Sequence, residues 1–265
     1  MQKKWYNILI LLYEKGVKMS RAERTLRLAG KLIKFLFVVF VFSVIFFLLW
    51  RAFISTKLPS EVADLHFDDK LEAAIENDGG LSGAFRQEQR SITSTERNYG
   101  YFSVEKAVFL PSANELQIVT RYNNSTLRAT AEDYELAEPP SRNDDVYDVS
   151  LVIVIDKSPE NKDDNLTGEG DSTEQIRIFG KKITAAEAQM YNYRSYIFDF
   201  GEYSLQNMLA DGTLISVFAD FYYVQDIDYD REAYGTLCLY DYITGTVPYE
   251  PTKNEAAKIE EIISK

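Results

Sequence analysis

The chain has 265 residues, 41 acidic against 29 basic side chains, one cysteine and one histidine. A net charge of −12 disfavours nucleic acid as a partner, because neutralising phosphates takes clustered Lys and Arg, and a single Cys excludes an internal disulfide. The charge is also split: residues 1–51 hold ten of the basic side chains and only Glu14 and Glu23 of the acids, leaving 19 basic against 39 acidic in the remainder.

Within residues 1–31, a basic segment, Trp5, Ile8, Leu9 and Leu12 recur at helical spacing ahead of "KMSRAERTLRLAGK". This suits either a helix lying on an anionic inner membrane surface or charge that sets topology. Without Cys or His the segment cannot form a zinc-stapled domain. The uncharged run Phe35 to Trp50, bounded by Lys34 and Arg51 and extended by Leu32, Ile33, Ala52, Phe53 and Ile54, predicts a transmembrane helix over 32–54, with membrane lipid as its partner. Lys15, Lys18, Arg21, Arg24, Arg27, Lys31 and Lys34 precede it, which puts the N-terminus in the cytoplasm and the rest of the chain outside. After the run, "LLWRAFISTKL" offers no small-x-small cleavage site, so the helix reads as an anchor instead of a removable signal.

Residues 55–98 read as juxtamembrane helices and a connector: Pro59-Ser60 is a helix-start signal, Gly79-Gly80 a stop, and "LSGAFRQEQRSITSTERN" a polar link. From 99 to 250 the pattern is β. "GYFSVEKAVFLP" and "ELQIVTRY" flank the turn set "PSAN", and Leu116, Ile118, Thr120 and Tyr122 alternate with Gln117, Val119 and Arg121. "STLRATAEDYEL" predicts a short helix and "DVSLVIVID" a central strand; "QIRIFG", "YRSYIFDF", "LISVFADFYYVQDI" and "TLCLYDY" bring the strands to about seven. The expected fold is mainly β, an immunoglobulin-like two-sheet sandwich with short inserted helices behind one N-terminal transmembrane helix, with a small mixed α+β domain as the alternative. Residues 251–265 read as a C-terminal tail, either a short helix or a frayed end.

Cys238, in "YGTLCLYDY", invites comparison with the sortases, membrane-tethered transpeptidases with a β-rich domain. They need a Cys after Thr-Leu-x-Thr, an upstream His and a downstream Arg. Here Thr236-Leu237 precedes Cys238 directly, the only His is His66, and no Arg follows Arg231. Alternation with Leu237 and Leu239 predicts a buried, inert thiol. Ser103-Val-Glu-Lys106 matches the Ser-x-x-Lys pattern of penicillin-recognising enzymes, which place it on a helix. On a strand, residues three apart face opposite sides, and the Lys-Thr-Gly companion is missing. Asp226, Asp228 and Asp230 resemble the start of a calcium loop, yet Arg231 replaces its Gly and Leu237 its final Glu. A looser cation site could draw on Asp163, Asp164, Glu169 and Asp171. The sequence implies no cofactor, and the Asn-glycosylation pattern at Asn123, Asn124 and Asn165 is common by chance and irrelevant if the source is bacterial. Tyrosines crowd the last third, and Tyr193, Tyr222, Tyr223, Tyr229 and Tyr234 are candidates for a binding face.

The stretches "NYGYFSVEKAVFLPSANELQIVTRYNNSTL", "AEDYEL", "YDVSL" and "AYGTLCLYDY" resemble a group of uncharacterised single-span membrane proteins of low-GC anaerobic Gram-positive bacteria. The resemblance covers about Tyr99 to Tyr242 and implies bacterial origin and single-span topology; no site residues come with it. With an export anchor and no recognisable catalytic set, the expected role is non-enzymatic: a binding or scaffolding module of the cell envelope, with an envelope protein or cell-wall ligand as partner. The alternatives are a ligand or cation sensor signalling across the membrane, and an envelope hydrolase using an unrecognised carboxylate pair.

Overall fold

The uncharged run lies inside one helix, α1 (Arg21–Phe53), about 50 Å long at 1.5 Å per residue. Its stretch Leu28–Trp50 has a mean hydropathy of 3.0 with none of it buried in protein, so it is long and apolar enough to cross a membrane. The computed structural model describes residues 21–53, 58–87, 92–93, 102–142, 144–156, 173–188, 191–209, 214–226 and 233–265. Contacts divide the chain into Met1–Lys57 and Leu58–Lys265. The expected helix around Trp5 to Leu12 falls outside the described residues.

The second unit is a sandwich of two antiparallel sheets. One holds β1 (Phe85–Gln87), β2 (Ile92–Thr93), β3 (Ser103–Leu110), β4 (Glu115–Asn123), β7 (Lys181–Ala188), β8 (Tyr191–Asp199) and β11 (Thr246–Pro248), in the order β11-β1-β3-β4-β8-β7 with β2 also on β3. The other holds β5 (Tyr147–Asp156), β6 (Thr173–Phe179), β9 (Leu214–Tyr223) and β10 (Gly235–Asp241), in the order β10-β9-β5-β6. The β3–β4 turn follows the sequence signal: Asn114 donates its N–H to Pro111 O at 3.2 Å and takes a positive φ of 58°, which Asn tolerates better than most residues.

The alternation read in β4 also holds. Leu116, Ile118 and Tyr122 enter the sandwich core with Phe109, Val149, Leu151, Tyr196, Phe198, Val217 and Phe221. Gln117 and Val119, on the other face, are buried as well, because the seven-stranded sheet is covered twice. Over its outer face lie α2 (Ser60–Ala63), α3 (Asp69–Asp78) and α6 (Lys253–Ile263). Leu71 and Ile75 pack with Val108, Leu110, Ile259 and Ile262, and Val62 packs with Val119 and Tyr193. Pro59 precedes α2 and Gly79 ends α3 at φ 71°, the start and stop read from the sequence, while the cap of α3 is Asp68, outside those signals, which accepts from Leu71 N at 2.9 Å.

Two shorter helices, α4 (Asn124–Asp133) and α5 (Leu205–Met208), complete the elements. α4 starts with a capping box between Asn123 and Thr126. It is pinned to the sandwich by Thr130 Oγ1, 2.6 Å from Tyr147 OH, and by Asp133, which accepts from Tyr234 OH at 2.9 Å.

Eleven strands among the described residues exceed the seven expected. The missed ones are β1, β2, β7 and β11: three are two or three residues long, and β7 reads "KKITAAEA", poor in the β-branched and aromatic types that signal a strand. The expected boundaries at 98/99 and 250/251 are also displaced. β1 and β11 pair with each other and β1 with β3, and α6 is a capped helix that buries Ile259 and Ile262, so the supposed connector and tail are built into the domain.

Between β6 and β7 the chain passes from one sheet to the other at Gly180, whose N–H donates to Val149 O at 3.2 Å. A Cβ there would stand 2.6 Å from the Phe198 ring and 3.1 Å from Val149 O. Phe198 is fully buried and cannot swing aside. Gly180→Ala is therefore expected to destabilise the domain by about 1–3 kcal/mol, the usual cost of overpacking a core, read as a lower denaturation midpoint in near-UV circular dichroism of the detergent-solubilised chain.

Candidate functional site

Lys106 follows a β-bulge. Val104 pairs with Thr120 and Lys106 with Val119, so Glu105 is an extra residue in β3. Ser103 pairs with Arg121, which shares its face of β4 with Val119, and the bulge therefore turns Ser103 and Lys106 to the same side. This corrects the strand argument made for Ser-x-x-Lys, which assumed unbroken alternation. The two groups still go different ways. Ser103 Oγ donates to Glu105 Oε1 at 2.6 Å and accepts from Arg121 Nε at 3.2 Å, while Lys106 Nζ donates to Ala63 O at 2.7 Å and to Glu255 Oε1 at 3.0 Å.

Glu255 is the centre of the arrangement. It stands at the third position of α6 in a capping box with Thr252, a place where a Glu ordinarily remains at the surface. Here its side chain is fully buried, and four donors converge on it. Leu65 N reaches Oε1 at 2.5 Å, Thr252 N reaches Oε2 at 2.7 Å, Lys106 Nζ approaches at 3.0 Å, and Tyr249 OH lies 2.9 and 2.8 Å from the two oxygens. Burial, together with the carboxylate, drives the Tyr249 hydroxyl well above its ordinary range. Burial also holds the Lys106 ammonium below its ordinary value, against the opposing pull of Glu255. Asp64 ties the same segment to α6, accepting from Thr252 Oγ1 at 2.7 Å and Asn254 Nδ2 at 2.9 Å. Gln117 exchanges bonds with His66 N and O at 2.9 and 2.8 Å.

Lys106 borders two hollows. One, of about 290 Å³, opens between β1, the bulge and the start of α6; Arg86, Glu105 and Glu250 line it with Lys106 and Tyr249, and Leu239 contributes to its apolar part. The other, of about 110 Å³, is lined by Asp64, His66, Gln117 and Thr184. The larger hollow presents both signs of charge with one aromatic wall. That suits binding of a small polar group or a peptide-like chain, in which buried polar atoms fix orientation.

The other candidates fare differently. Tyr193 is buried beneath the helical layer and Tyr223 and Tyr234 lie in the sandwich core. Tyr222 is on the outside of the four-stranded sheet, but Arg177 covers it: Arg177 Nη1 donates to the Tyr222 hydroxyl at 2.8 Å, and that residue too is buried. The tyrosine binding face therefore does not form from these four, since cross-strand packing takes their area. Tyr229 lies outside the described residues, as do Asp163, Asp164, Glu169, Asp171, Asp228 and Asp230; Asp226 closes a 3-10 turn, Val224–Asp226. Among the described residues no group of three or more His, Cys, Asp or Glu could hold a metal ion.

Cys238 is exposed, against the expectation of a buried thiol. Leu237 and Leu239 take the core positions, which leaves Cys238 on the open face of the four-stranded sheet. Partial burial of its sulfur and the nearby Asp241 push the thiol above its ordinary value, the opposite of activation. The site that forms was signalled in the sequence only by Thr252-Lys-Asn-Glu255, a capping-box pattern in what reads as a tail. Its partners Leu65 and Lys106 are 190 and 149 residues away along the chain. Comparison with protein-family models, curated proteins and solved structures finds no match to this chain.

Removing one partner of a buried ion pair strands the other. Glu255→Gln is expected to cost about 3 kcal/mol on that basis, Lys106→Met less because three donors still serve Glu255, and the double variant less than the sum. Chemical denaturation of the solubilised chain measures all three.

Proposed function

We propose that this chain is a membrane-anchored binding module of a bacterial cell envelope. Its N-terminus lies in the cytoplasm, α1 spans the membrane, and the sandwich outside takes an envelope protein segment or wall fragment into the hollow beside Lys106. The observation that carries this reading is the hollow itself, with Arg86, Lys106, Glu105 and Glu250 at one opening. The excess of Lys and Arg before α1 supports the orientation. The reading is non-enzymatic because the reactive groups at the site are already engaged: Lys106 by Glu255 and Ala63, and Ser103 by Glu105 and Arg121.

A sensor is the second reading, and one observation favours it. Leu58 and Thr252 also line the hollow, and Leu58 begins the segment that leads away from α1 and is bonded to α6. A ligand seated there would touch the chain that connects to the membrane helix. The hydrolase reading has a buried acid in Glu115, whose carboxyl is pushed up to about 8 by burial, but Glu115 is only 1% exposed and lines neither hollow.

A photo-crosslinking residue placed at Arg86, and separately at Phe179 on the open sheet face, tests the assignment in intact cells. The expected result is a reproducible adduct with an envelope component from position 86 and none from 179. Adducts from 179 alone would move the binding surface to the open sheet, and none from either would remove the binding reading.

A further inference from the structure

β7 ends the seven-stranded sheet, and at eight residues it is the longest end strand among the described residues. Among those residues only β8 pairs with it. Thr184 turns its backbone to β8, where its N–H donates to Ser195 Oγ at 3.0 Å and its carbonyl accepts from the same hydroxyl at 3.3 Å. Backbone groups alternate sides along a strand, so the N–H and C=O of Ala185 and Glu187 face the open edge. Both residues are exposed, and among the described residues Glu187 makes no ion pair. Ala186 and Ala188 pack with Val62 of α2, which holds the strand in place from one face. An open edge without Pro or Gly is a template for another strand.

We propose that the edge of β7 pairs with β7 of a second copy of this chain, antiparallel and about a two-fold axis at Ala185. The strand's own register points to a second copy. Lys182 lies opposite Tyr196 and Thr184 opposite Ser195, so Ile183 is an extra, bulged residue. With Ile183 set aside, Ala185 is the middle position of β7. Reversing the strand about it brings Ala185 to its own counterpart, Thr184 to Ala186 and Lys182 to Glu187, twice over. Each opposed pair also shares a face: Lys182, Ala185 and Glu187 stand opposite Tyr196, Arg194 and Asn192 of β8, while Thr184 and Ala186 stand opposite Ser195 and Tyr193. Lysines at a sheet edge ordinarily guard it against stray pairing; here Lys182 meets a carboxylate. Lys182 already contacts Asp145, but the two side chains stay 37% and 56% exposed, which leaves the ammonium within reach of an acid on a facing strand. At the axis, Ala185 exchanges both backbone hydrogen bonds with its counterpart. One pair of short strands is small by the measure of stable dimers. The pairing therefore rests on the reading of α1 as an anchor, which confines copies to one membrane and raises their effective concentration.

The test is thiol crosslinking of Ala185→Cys, in a full chain that also carries Cys238→Ser, with a short bismaleimide in cell membranes isolated by flotation. The expected product has twice the mass of the chain, and the unaltered protein, whose exposed thiol is Cys238, gives none. Glu187→Lys, added to the crosslinking chain, sets lysine against lysine at both ends of the pair and should lower the product about fivefold, since like charges opposed in a sheet destabilise it. Lys182→Glu, added in turn, should restore it. The pairing is overturned by no doubled product from position 185, by as much of it from Cys238, or by a product of another mass in its place. A yield unchanged by Glu187→Lys, or not restored by Lys182→Glu, overturns it too. A chain missing from the floated membranes overturns the anchor together with the pairing, so the two failures are told apart.

Discussion

A carboxylate removed from water has to be matched on every side, and Glu255 imposes that requirement on the whole second unit. Its four donors come from the segment before α3, from the bulge of β3, from the stretch after β11 and from its own helix start. None of these segments can be elsewhere while the charge is buried. The two ends of the domain therefore meet over the outer face of the seven-stranded sheet, and they bury a second hydrophobic core there.

The bulge at Glu105 is the small irregularity that permits this. Were Glu105 paired in regular register with Val119, Lys106 would fall opposite Ile118 and point into the sandwich. With the bulge, Lys106 faces outward to Glu255, and Glu105 remains beside Ser103 and Arg121, whose Nη2 it accepts at 3.1 Å. Bulges commonly re-aim a side chain in this way. Among the described residues β1 meets β3 at Phe109 and β2 meets it at Ser103 and Val104, and the hollow is lined by the stretch between them, Val104 to Ala107.

The two sheets are consequently used differently. The seven-stranded sheet has core on both faces, which is why Gln117, Val119 and Tyr193 on its outer face are buried. The four-stranded sheet keeps one face open, with Phe179 and Cys238 on it. Between the sheets, Phe102, Tyr147, Phe221 and Tyr234 form an aromatic cluster with ring centres 4.7 to 6.1 Å apart around Phe102 and Tyr147. That cluster accounts for tyrosines that, on composition alone, resemble a recognition surface. A strand of alternating aromatics has the same pattern whether its ring face meets a partner or another strand.

Properties written in local runs of residues were legible without coordinates. The apolar helix, the turn at Asn114, the stop of α3 at Gly79 and the central place of β5 each depend on neighbours within a few positions, and local pattern reports them directly. Short strands such as β1 and β11, and the Ala- and Lys-rich β7, carry no such signal because their pairing is supplied by partners distant in sequence. Whether Cys238 faces core or solvent, whether Lys106 points in or out, and which acid in so acidic a chain is buried were decided only by tertiary structure. Each depends on a register, a bulge or a covering layer formed by segments up to 190 residues apart, and a pattern read along the chain has no access to what lies across from it.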